Sequence, residues 1–440
     1  MNNRWVWSLI LLIQMVAIPV AVATDVQVSH VLNSHWAVGI EERGTQLLDV
    51  SWQPELKWRF EGGGRLTGIT QLRIQSEQGL QPSDMQRDSY DSVSRPVLVG
   101  DKAELEIREL YTEHSLGDWY LTLGKQQIVW GKADGLKVLD VVNPQSFREF
   151  IVDEFEQSRI PLWSVNAERS FADWTLQLLW LPDQTYHALP NRDATYAFTS
   201  PRLVPKAPAG VETRLVDPKR PSRMFADSDI GLRLTSFLGG WDLSLNYLYQ
   251  YYNQPALHQQ IITVSSPIVE ITPRYHRTHL LGGTFSRALS NWVIRGEVGY
   301  FTDRYFITTA STDADGVGES PELSFVLGVD WTGLRETFIS AQFFQSWLPD
   351  HDQGFMRREL DTSMTFLAKR EFMNKILSAE VLWIANSRDG DGLVKPKVNY
   401  ELEDNLTVWA GLDIFYGDKK GLFGQFDRND RLSLGLELGF

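Results

Sequence analysis

The sequence predicts an all-β protein that forms a single transmembrane antiparallel β-barrel. Apolar and polar residues alternate with period two in segments of about ten residues, the length of a tilted strand that crosses a bilayer. Short turns also alternate with long polar loops along the chain. Such an alternation is typical of the periplasmic turns and outer loops of a barrel in the outer membrane.

The composition excludes several classes of function. The 440-residue chain has no cysteine, which excludes a disulfide framework, a thiolate zinc site and a cysteine nucleophile. It has 42 Lys and Arg against 56 Asp and Glu, whereas a nucleic-acid-binding protein would need a basic face. We therefore expect no nucleic-acid partner. The 16 Trp, 14 Tyr and 22 Phe fit the aromatic girdles of a barrel with a polar lumen and an apolar outer face.

The N-terminus, residues 1–23, is predicted to be a cleavable signal peptide, and residues 24–440 are predicted to be the barrel. Arg4 supplies the positive charge, residues 5–16 are apolar, and an Ala-Val-Ala cleavage site ends at Ala23. A retained membrane anchor is the alternative interpretation. Pro19 and the small residues at the end of the segment favour cleavage.

The strands follow the alternation, which is clearest in residues 430–440, where four Leu and Phe440 share one face. Strands are predicted over 54–61, 65–76, 103–114, 118–130, 161–171, 173–182, 228–238, 241–252, 274–287, 291–301, 322–331, 336–347, 360–370, 375–385, 392–402, 405–416 and 430–440. A further strand over residues 35–42 gives an even total of about 18, which bacterial barrels favour. If two weak segments are loops, the total is about 16.

The long loop over residues 131–160 is the most informative connection. We expect a short helix over residues 144–155, with Asn143 as its cap and Pro144 in its first turn. If the loop folds inward, it narrows the pore; if it packs on the rim, it leaves the pore wide. The candidate constriction residues are Lys132, Asp134, Asp140, Asn143, Pro144, Arg148 and Glu149.

The alternation also assigns charged and polar residues to the inner face of the wall. The lumen-facing candidates are Arg73, Glu104, Glu106, Arg108, Gln126, Arg233, Arg295, Glu297, Glu380, Asp413 and Glu437, together with Lys395 and Lys397. Both signs of charge occur, so no strong ion selectivity is predicted. These residues are also explained as wall charges that pair with one another and keep the lumen hydrated.

No catalytic motif stands out in the chain. The nucleophile elbow Gly-x-Ser-x-Gly, the zinc motif His-Glu-x-x-His and the phosphate-binding loop are all absent from the sequence. His276 and His279 are three residues apart, which on a strand places them on opposite faces. We expect no enzyme, no cofactor and no metal site.

A family resemblance rests on two stretches. Residues 123–134, LGKQQIVWGKAD, followed by DVVNP at 140–144, resemble a proteobacterial porin-like outer-membrane family of unassigned function. Lys125 stands where members often have Arg, and residues 423–440 resemble the family's last loop and strand. The resemblance implies a barrel of the porin or alginate-exporter type. Members are often found beside inner-membrane pumps of the resistance-nodulation class, which implies export or lipid handling in the envelope.

The function that these patterns favour is a channel in the bacterial outer membrane that moves solutes, with exported or lipidic compounds as cargo implied by the resemblance. The alternative is a non-conducting component that docks an envelope export complex with an inner-membrane pump. A barrel enzyme is the third hypothesis. The expected partners are outer-membrane lipid, lipopolysaccharide and the barrel-assembly machinery, for which the terminal Phe440 is the candidate assembly signal.

Overall fold

The computed structural model describes residues 23–41, 43–76, 80, 89–133, 135–152, 155–191, 193–206, 210–218, 220–263, 267–310 and 312–440. The predicted signal peptide therefore lies outside the described residues, except for Ala23, which begins the first strand. Within the described residues, eighteen antiparallel strands follow one another around a sheet, and the first also pairs with the last. The predicted barrel is thus confirmed, with the larger of the two predicted strand counts.

The barrel strands are β1 (Ala23–Gly39), β2 (Gly44–Phe60), β3 (Arg65–Gln75), β5 (Ala103–Leu116), β6 (Trp119–Gln126), β7 (Leu162–Phe171), β8 (Trp174–Leu181), β10 (Asp229–Leu238), β11 (Trp241–Tyr251), β14 (Arg277–Leu289), β15 (Trp292–Ile307), β16 (Val317–Trp331), β17 (Thr337–Trp347), β18 (Leu360–Phe372), β19 (Leu377–Asn386), β20 (Asp391–Glu403), β21 (Leu406–Tyr416) and β22 (Arg431–Gly439). Four short strands lie in the long loops: β4 (Val97–Val99), β9 (Glu212–Leu215), β12 (Ala256–Thr263) and β13 (Pro267–Arg274).

The two faces of the wall have inverted polarity relative to a water-soluble protein. On β11, the side chain of Leu245 is 61% exposed, whereas its neighbour Asn246 is 3% exposed. On β22, Leu432 and Leu434 are exposed and Ser433 is buried. An apolar outer face around a polar interior is what the alternation predicts for a wall that faces lipid.

The first hairpin differs from its prediction. The strands expected over 35–42 and 54–61 are in fact β1 and β2, which are both longer and meet at a turn that includes Ile40 and Glu41. The last backbone contact of β1 with the C-terminus joins His30 and Phe440, with N–O distances of 2.7 and 2.9 Å. Before His30, β1 pairs only with β2 among the described residues. The sequence patterns missed the first part of β1, residues 23–34, because it directly follows the predicted cleavage site.

The helix predicted over residues 144–155 is wrong in its position. The described residues contain one short α-helix, α1 (Phe155–Ser158), and residues 148–151 form turns instead. Asn143 does not cap a helix. Its Oδ1 accepts a hydrogen bond from the N–H of Ile128 (2.7 Å), and its Nδ2 donates to the carbonyl of Ile160 (3.0 Å). Asn143 therefore ties the start of the connection between β6 and β7 to its end.

Candidate functional site

The connection between β6 and β7, residues 127–161, crosses the interior of the barrel; we call it the inner segment. Near its start, Trp130 donates a hydrogen bond to Gln177 of β8 (2.9 Å). Farther along, Gly135 lies against Thr365 of β18, so that a Cβ on Gly135 would be 3.6 Å from the Thr365 Cβ. Since β8 and β18 stand apart in the order of strands around the wall, a segment that contacts both must pass through the lumen. This geometry confirms the inward fold of the loop and excludes rim packing.

One carboxylate of the wall holds the first half of the inner segment. Glu297 on β15 accepts backbone hydrogen bonds from Lys132, Ala133 (2.7 Å) and Leu139 (3.0 Å). Arg295 on the same strand donates to the carbonyl oxygen of Lys132 at 2.6 Å. Irregular backbone needs such partners wherever it is removed from water. Both wall residues are sequence-predicted lumen candidates, and the structure brings them together on the inner segment.

Apolar side chains pack the same half of the inner segment against one side of the wall. Trp130 and Leu139 are fully buried. Leu139 fits over two glycines of the wall, since a Cβ on Gly282 would lie 2.5 Å, and one on Gly299 3.2 Å, from Leu139 methyl carbons. The first cluster consists of Ile128, Trp130, Val138, Leu139, Val142, Leu162, Leu179, Leu181, Leu248, Leu280, Phe301, Val326 and Phe344. A hydrophobic core thus lies inside the barrel, where a polar lumen was predicted.

A second apolar cluster lies against the other side of the wall. It is formed by Phe150, Val152, Tyr196, Ile384, Leu393, Phe415, Phe423 and Phe426, which come from the inner segment, two loops and β19 to β21. Leu136 packs against both clusters. Apolar contacts therefore continue from one side of the lumen to the other.

Ion pairs hold the second half of the inner segment. Arg148 binds both carboxylate oxygens of Glu104 on β5 at 3.1 Å. Glu149 accepts from Arg431 of β22 at 2.6 Å, and Arg431 also binds Asp413 of β21 at 2.8 Å. Arg431 is completely buried, and such a buried charge needs its partners. The predicted constriction residues Arg148 and Glu149 thus contact the predicted lumen residues Glu104 and Asp413, directly or through Arg431.

The remaining constriction candidates lie along the same segment. Asp140 is buried and pairs with Arg159 at 2.9 Å and with Lys137 at 3.3 Å. Burial lowers the pKa of Lys137 to about 8, although Asp140 acts in the opposite direction. Pro144 accepts the backbone hydrogen bond of Ile160 (2.8 Å). Asp134 lies outside the described residues.

The other lumen candidates also lie on the inward face. Arg108 and Arg233 donate to inner-segment carbonyls, those of Arg159 (3.0 Å) and Val129 (3.2 Å). Three of the remaining candidates form ion pairs: Arg73 with Asp49, Glu106 with Lys125, and Lys395 with Asp413. Gln126 donates a hydrogen bond to the carbonyl of Thr122, and Lys397 lies over the Trp409 ring. Glu380 lies on the same strand face as the buried Ile384, and Glu437 lies on the same strand face as the buried Arg431. Their part in transport stays a prediction.

Sequence reasoning missed the apolar residues of the inner segment and the loop over residues 182–228. Trp130 stood within a predicted strand, and Leu139 had no visible partner, because the glycines it contacts lie far along the chain. Arg202 from the long loop reaches Asp389 at 2.7 Å and also binds Asp361. The glycines at 282, 283 and 299 were the one signal in the sequence that another part of the chain packs closely against the wall there.

A cavity of about 430 Å³ lies between the inner segment and the long loops. The inner segment contributes residues such as Lys137, Phe147 and Phe150, and the loops contribute Phe198 and Arg202. The ends of β11, β12, β15, β16 and β18 contribute the rest of the lining. His187, on the loop side, accepts a hydrogen bond at Nδ1 from the N–H of Gln145 (2.9 Å), and burial lowers its pKa to about 3.

The described residues contain no group of three or more His, Asp or Glu that could hold a metal ion. No helix among them is long and apolar enough to cross a membrane.

Solved structures of similar fold define the class of protein. The chain matches OccAB1 of Acinetobacter baumannii with a TM-score of 0.52 and 8% identity, over 94% of this chain and 96% of that one. It matches OpdK of Pseudomonas aeruginosa, solved with vanillate, with a TM-score of 0.52 and 9% identity, over 94% and 98% of the two chains. OccAB3 of A. baumannii gives a TM-score of 0.51 and 10% identity, over 94% and 99%. The protein therefore has the fold of the outer-membrane porins.

The family follows from the sequence itself. Residues 43–440 match the family described as protein of unknown function DUF1302, and the chain belongs to that family. No curated protein matches the chain. The resemblance predicted from residues 123–144 and 423–440, to a porin-like family of unassigned function, is thus confirmed.

Proposed function

We propose that the protein is an outer-membrane channel in which the inner segment narrows the lumen and controls passage. The observation that carries this proposal is the crossing of the lumen by a segment that is anchored on both sides. A barrel of about 18 strands would otherwise enclose a wide aqueous pore. The porin fold and the apolar outer face support the location in the outer membrane. They favour a channel over an enzyme.

The two anchorages of the inner segment suggest how passage occurs. The half that contains Trp130 and Leu139 is packed like a protein core, so it stays in place. The half that contains Arg148 and Glu149 is held by ion pairs and by Phe150 and Val152, which pack in the second apolar cluster. When this half moves, water enters and replaces the partners of the charged groups. Solutes therefore pass when residues 144–155 move away from β5 and β22.

The test is removal of the crossing. Replacing residues 135–156 by a short Gly-Ser bridge should raise single-channel conductance in planar bilayers, with heat-resistant mobility on gels as the check that the barrel remains folded. The matched control shortens the hairpin of β12 and β13 within residues 260–270, whose described members lie outside the inner segment and outside the cavity lining. Unchanged conductance after removal of 135–156 would contradict the proposal.

A second candidate function is docking in an export complex, and the extension of β1 favours it. Val26 and Val28 are 53% and 58% exposed, and the strand edge before His30 has no second neighbour among the described residues. Such an edge can accept a strand from a partner, for example a periplasmic component of a pump. If the intact protein and the deletion variant both fail to conduct, docking becomes the preferred function.

Contacts with the membrane and its assembly machinery complete the proposal. The exposed leucines of the outer wall contact lipid and lipopolysaccharide. Phe440 is 63% exposed, and its ring lies 5.1 Å from that of His30. We propose that Phe440 is the signal that the barrel-assembly machinery recognises. Its deletion should lower the amount of protein in the outer membrane, and unchanged amounts would remove this role.

A further inference from the structure

We infer that the cavity above the inner segment binds uncharged amphipathic molecules, and that it is the site where cargo is captured. This inference rests on the proposed channel function and adds its substrate class. The cavity of about 430 Å³ falls within the range of small-molecule sites, which hold ligands of drug-like size.

The charges that line the cavity cancel. Its cationic side chains are Lys137, Arg202, Arg304 and Arg357, and its anionic ones are Asp140, Asp303, Glu322 and Asp361. With both His187 and His276 neutral, the four positive and four negative charges sum to zero. The lining therefore does not attract a charged ligand of either sign.

The cations of this lining are also engaged by their own carboxylates. Glu322 binds Arg304 at 2.8 Å and Arg357 at 3.0 Å. Lys137 pairs with Asp140 at 3.3 Å, and Arg202 with Asp361. An anionic ligand would have to displace a carboxylate from one of these pairs, which is costly where the groups are buried. An uncharged ligand leaves all of the pairs intact.

Apolar side chains supply the rest of the lining. Aromatic and aliphatic residues come from the inner segment, the loops and β15, among them Phe147, Phe198, Phe306, Leu136, Leu203 and Leu257. These residues favour an apolar body on the ligand. Amide and hydroxyl side chains of the lining, such as Gln254 and Tyr305, supply the polar groups that an amphipathic ligand would meet.

Two fluorescent probes with the same ring system test the inference. N-phenylnaphthylamine is uncharged, and anilinonaphthalene sulfonate carries one negative charge. Each is titrated against the protein in lipid nanodiscs, with empty nanodiscs as the blank. The uncharged probe should bind more tightly by about tenfold or more, because the sulfonate has no free cation to pair with. Equal affinities, or tighter binding of the sulfonate, would overturn the inference.

Substitutions place the binding in the cavity. Leu203→Trp reduces the space and should weaken binding of the uncharged probe several-fold, whereas Ile261→Trp, on an exposed part of β12 outside the lining, should leave it unchanged. Equal effects of the two would overturn the inference. Glu322→Gln removes the carboxylate shared by Arg304 and Arg357, and should shift the preference toward the sulfonate. An unchanged preference in a folded variant would contradict the role given to these pairs.

Conductance separates this inference from the channel proposal. A protein that conducts but binds neither probe keeps the channel and loses the capture site. If the protein binds the uncharged probe and Leu203→Trp weakens that binding, but the protein does not conduct, the binding site is supported. The channel function and the capture of cargo are then contradicted.

Discussion

The two halves of the inner segment occupy the same lumen but are held by different combinations of apolar packing and charged contacts. The first half packs Trp130 and Leu139 against β8, β10, β14 and β15, with both side chains fully buried. The second half joins Arg148 and Glu149 to charged residues of β5 and β22, and it also places Phe150 and Val152 in the second apolar cluster. Apolar packing has no replacement in water, whereas a charged group that becomes exposed when the segment moves can exchange its partner for water. The comparison indicates a fixed half and a movable half.

The largest expected effect comes from the fixed half. Trp130→Ala removes a fully buried ring and its hydrogen bond to Gln177, and should lower the free energy of unfolding by about 3–5 kcal/mol. The neighbouring Val129→Ala, at a position that is 43% exposed, should cost about 0.5 kcal/mol. Denaturant unfolding of the two purified variants measures the difference. Similar costs would mean that this half is not a packed core.

A smaller effect is expected from the movable half. Arg148→Gln breaks the pair with Glu104 and should cost about 1.5–3 kcal/mol, while it raises the frequency of channel opening. Arg169→Gln is the control, since its pair with Asp118 is exposed and worth about 0–1 kcal/mol. Single-channel recordings and unfolding curves provide both readouts. A loss of stability without more frequent opening would show that this half does not gate.

The smallest expected effect concerns the pH dependence of ion preference, which depends on Lys137 in the inner segment. Burial lowers the pKa of Lys137 to about 8, so its charge is present below that pH and lost above it. Between about pH 7 and about pH 9, the preference of the pore for cations should therefore rise. Reversal potentials in a salt gradient measure the preference. Lys137→Met should show the higher preference at both values; a shift that persists in this variant would assign the titration to another group.

The wall was predictable from sequence because each strand records its two faces in its own residues. The alternation at 430–440 and the long connections gave the barrel, its strand count and the inward residues such as Glu104 and Glu297. The start of β1 follows the predicted cleavage site directly, and the strand was therefore predicted to begin too late and to be too short.

The interior was much less predictable, since its contacts join residues that are distant in the chain. Glu149 meets Arg431, and Leu139 meets Gly282 and Gly299. The helix predicted from Asn143 and Pro144 failed for the same reason: Asn143 binds Ile128 and Ile160, and Phe150 adopts a positive φ of 54° among aromatic rings. Partners that are set by the closed barrel outweighed the local helical pattern.

The most direct test of the central claim is a covalent bond between the inner segment and the far wall. The chain has no cysteine, and the Cβ positions of Gly135 and Thr365 are 3.6 Å apart, within the range that a disulfide needs. The positive φ of Gly135 makes a cysteine there somewhat strained. The control pairs the same cysteine with Met364, which is exposed on the outer face of β18.

Oxidation of the Gly135→Cys/Thr365→Cys variant should form the disulfide in the folded barrel and leave the opening events unchanged, because Gly135 lies in the half of the inner segment that stays in place. The Gly135→Cys/Met364→Cys variant should form none. If neither pair, or both pairs, became linked in protein that keeps its heat-resistant mobility, residues 127–161 would not cross the lumen as described, and the account of the channel would be contradicted.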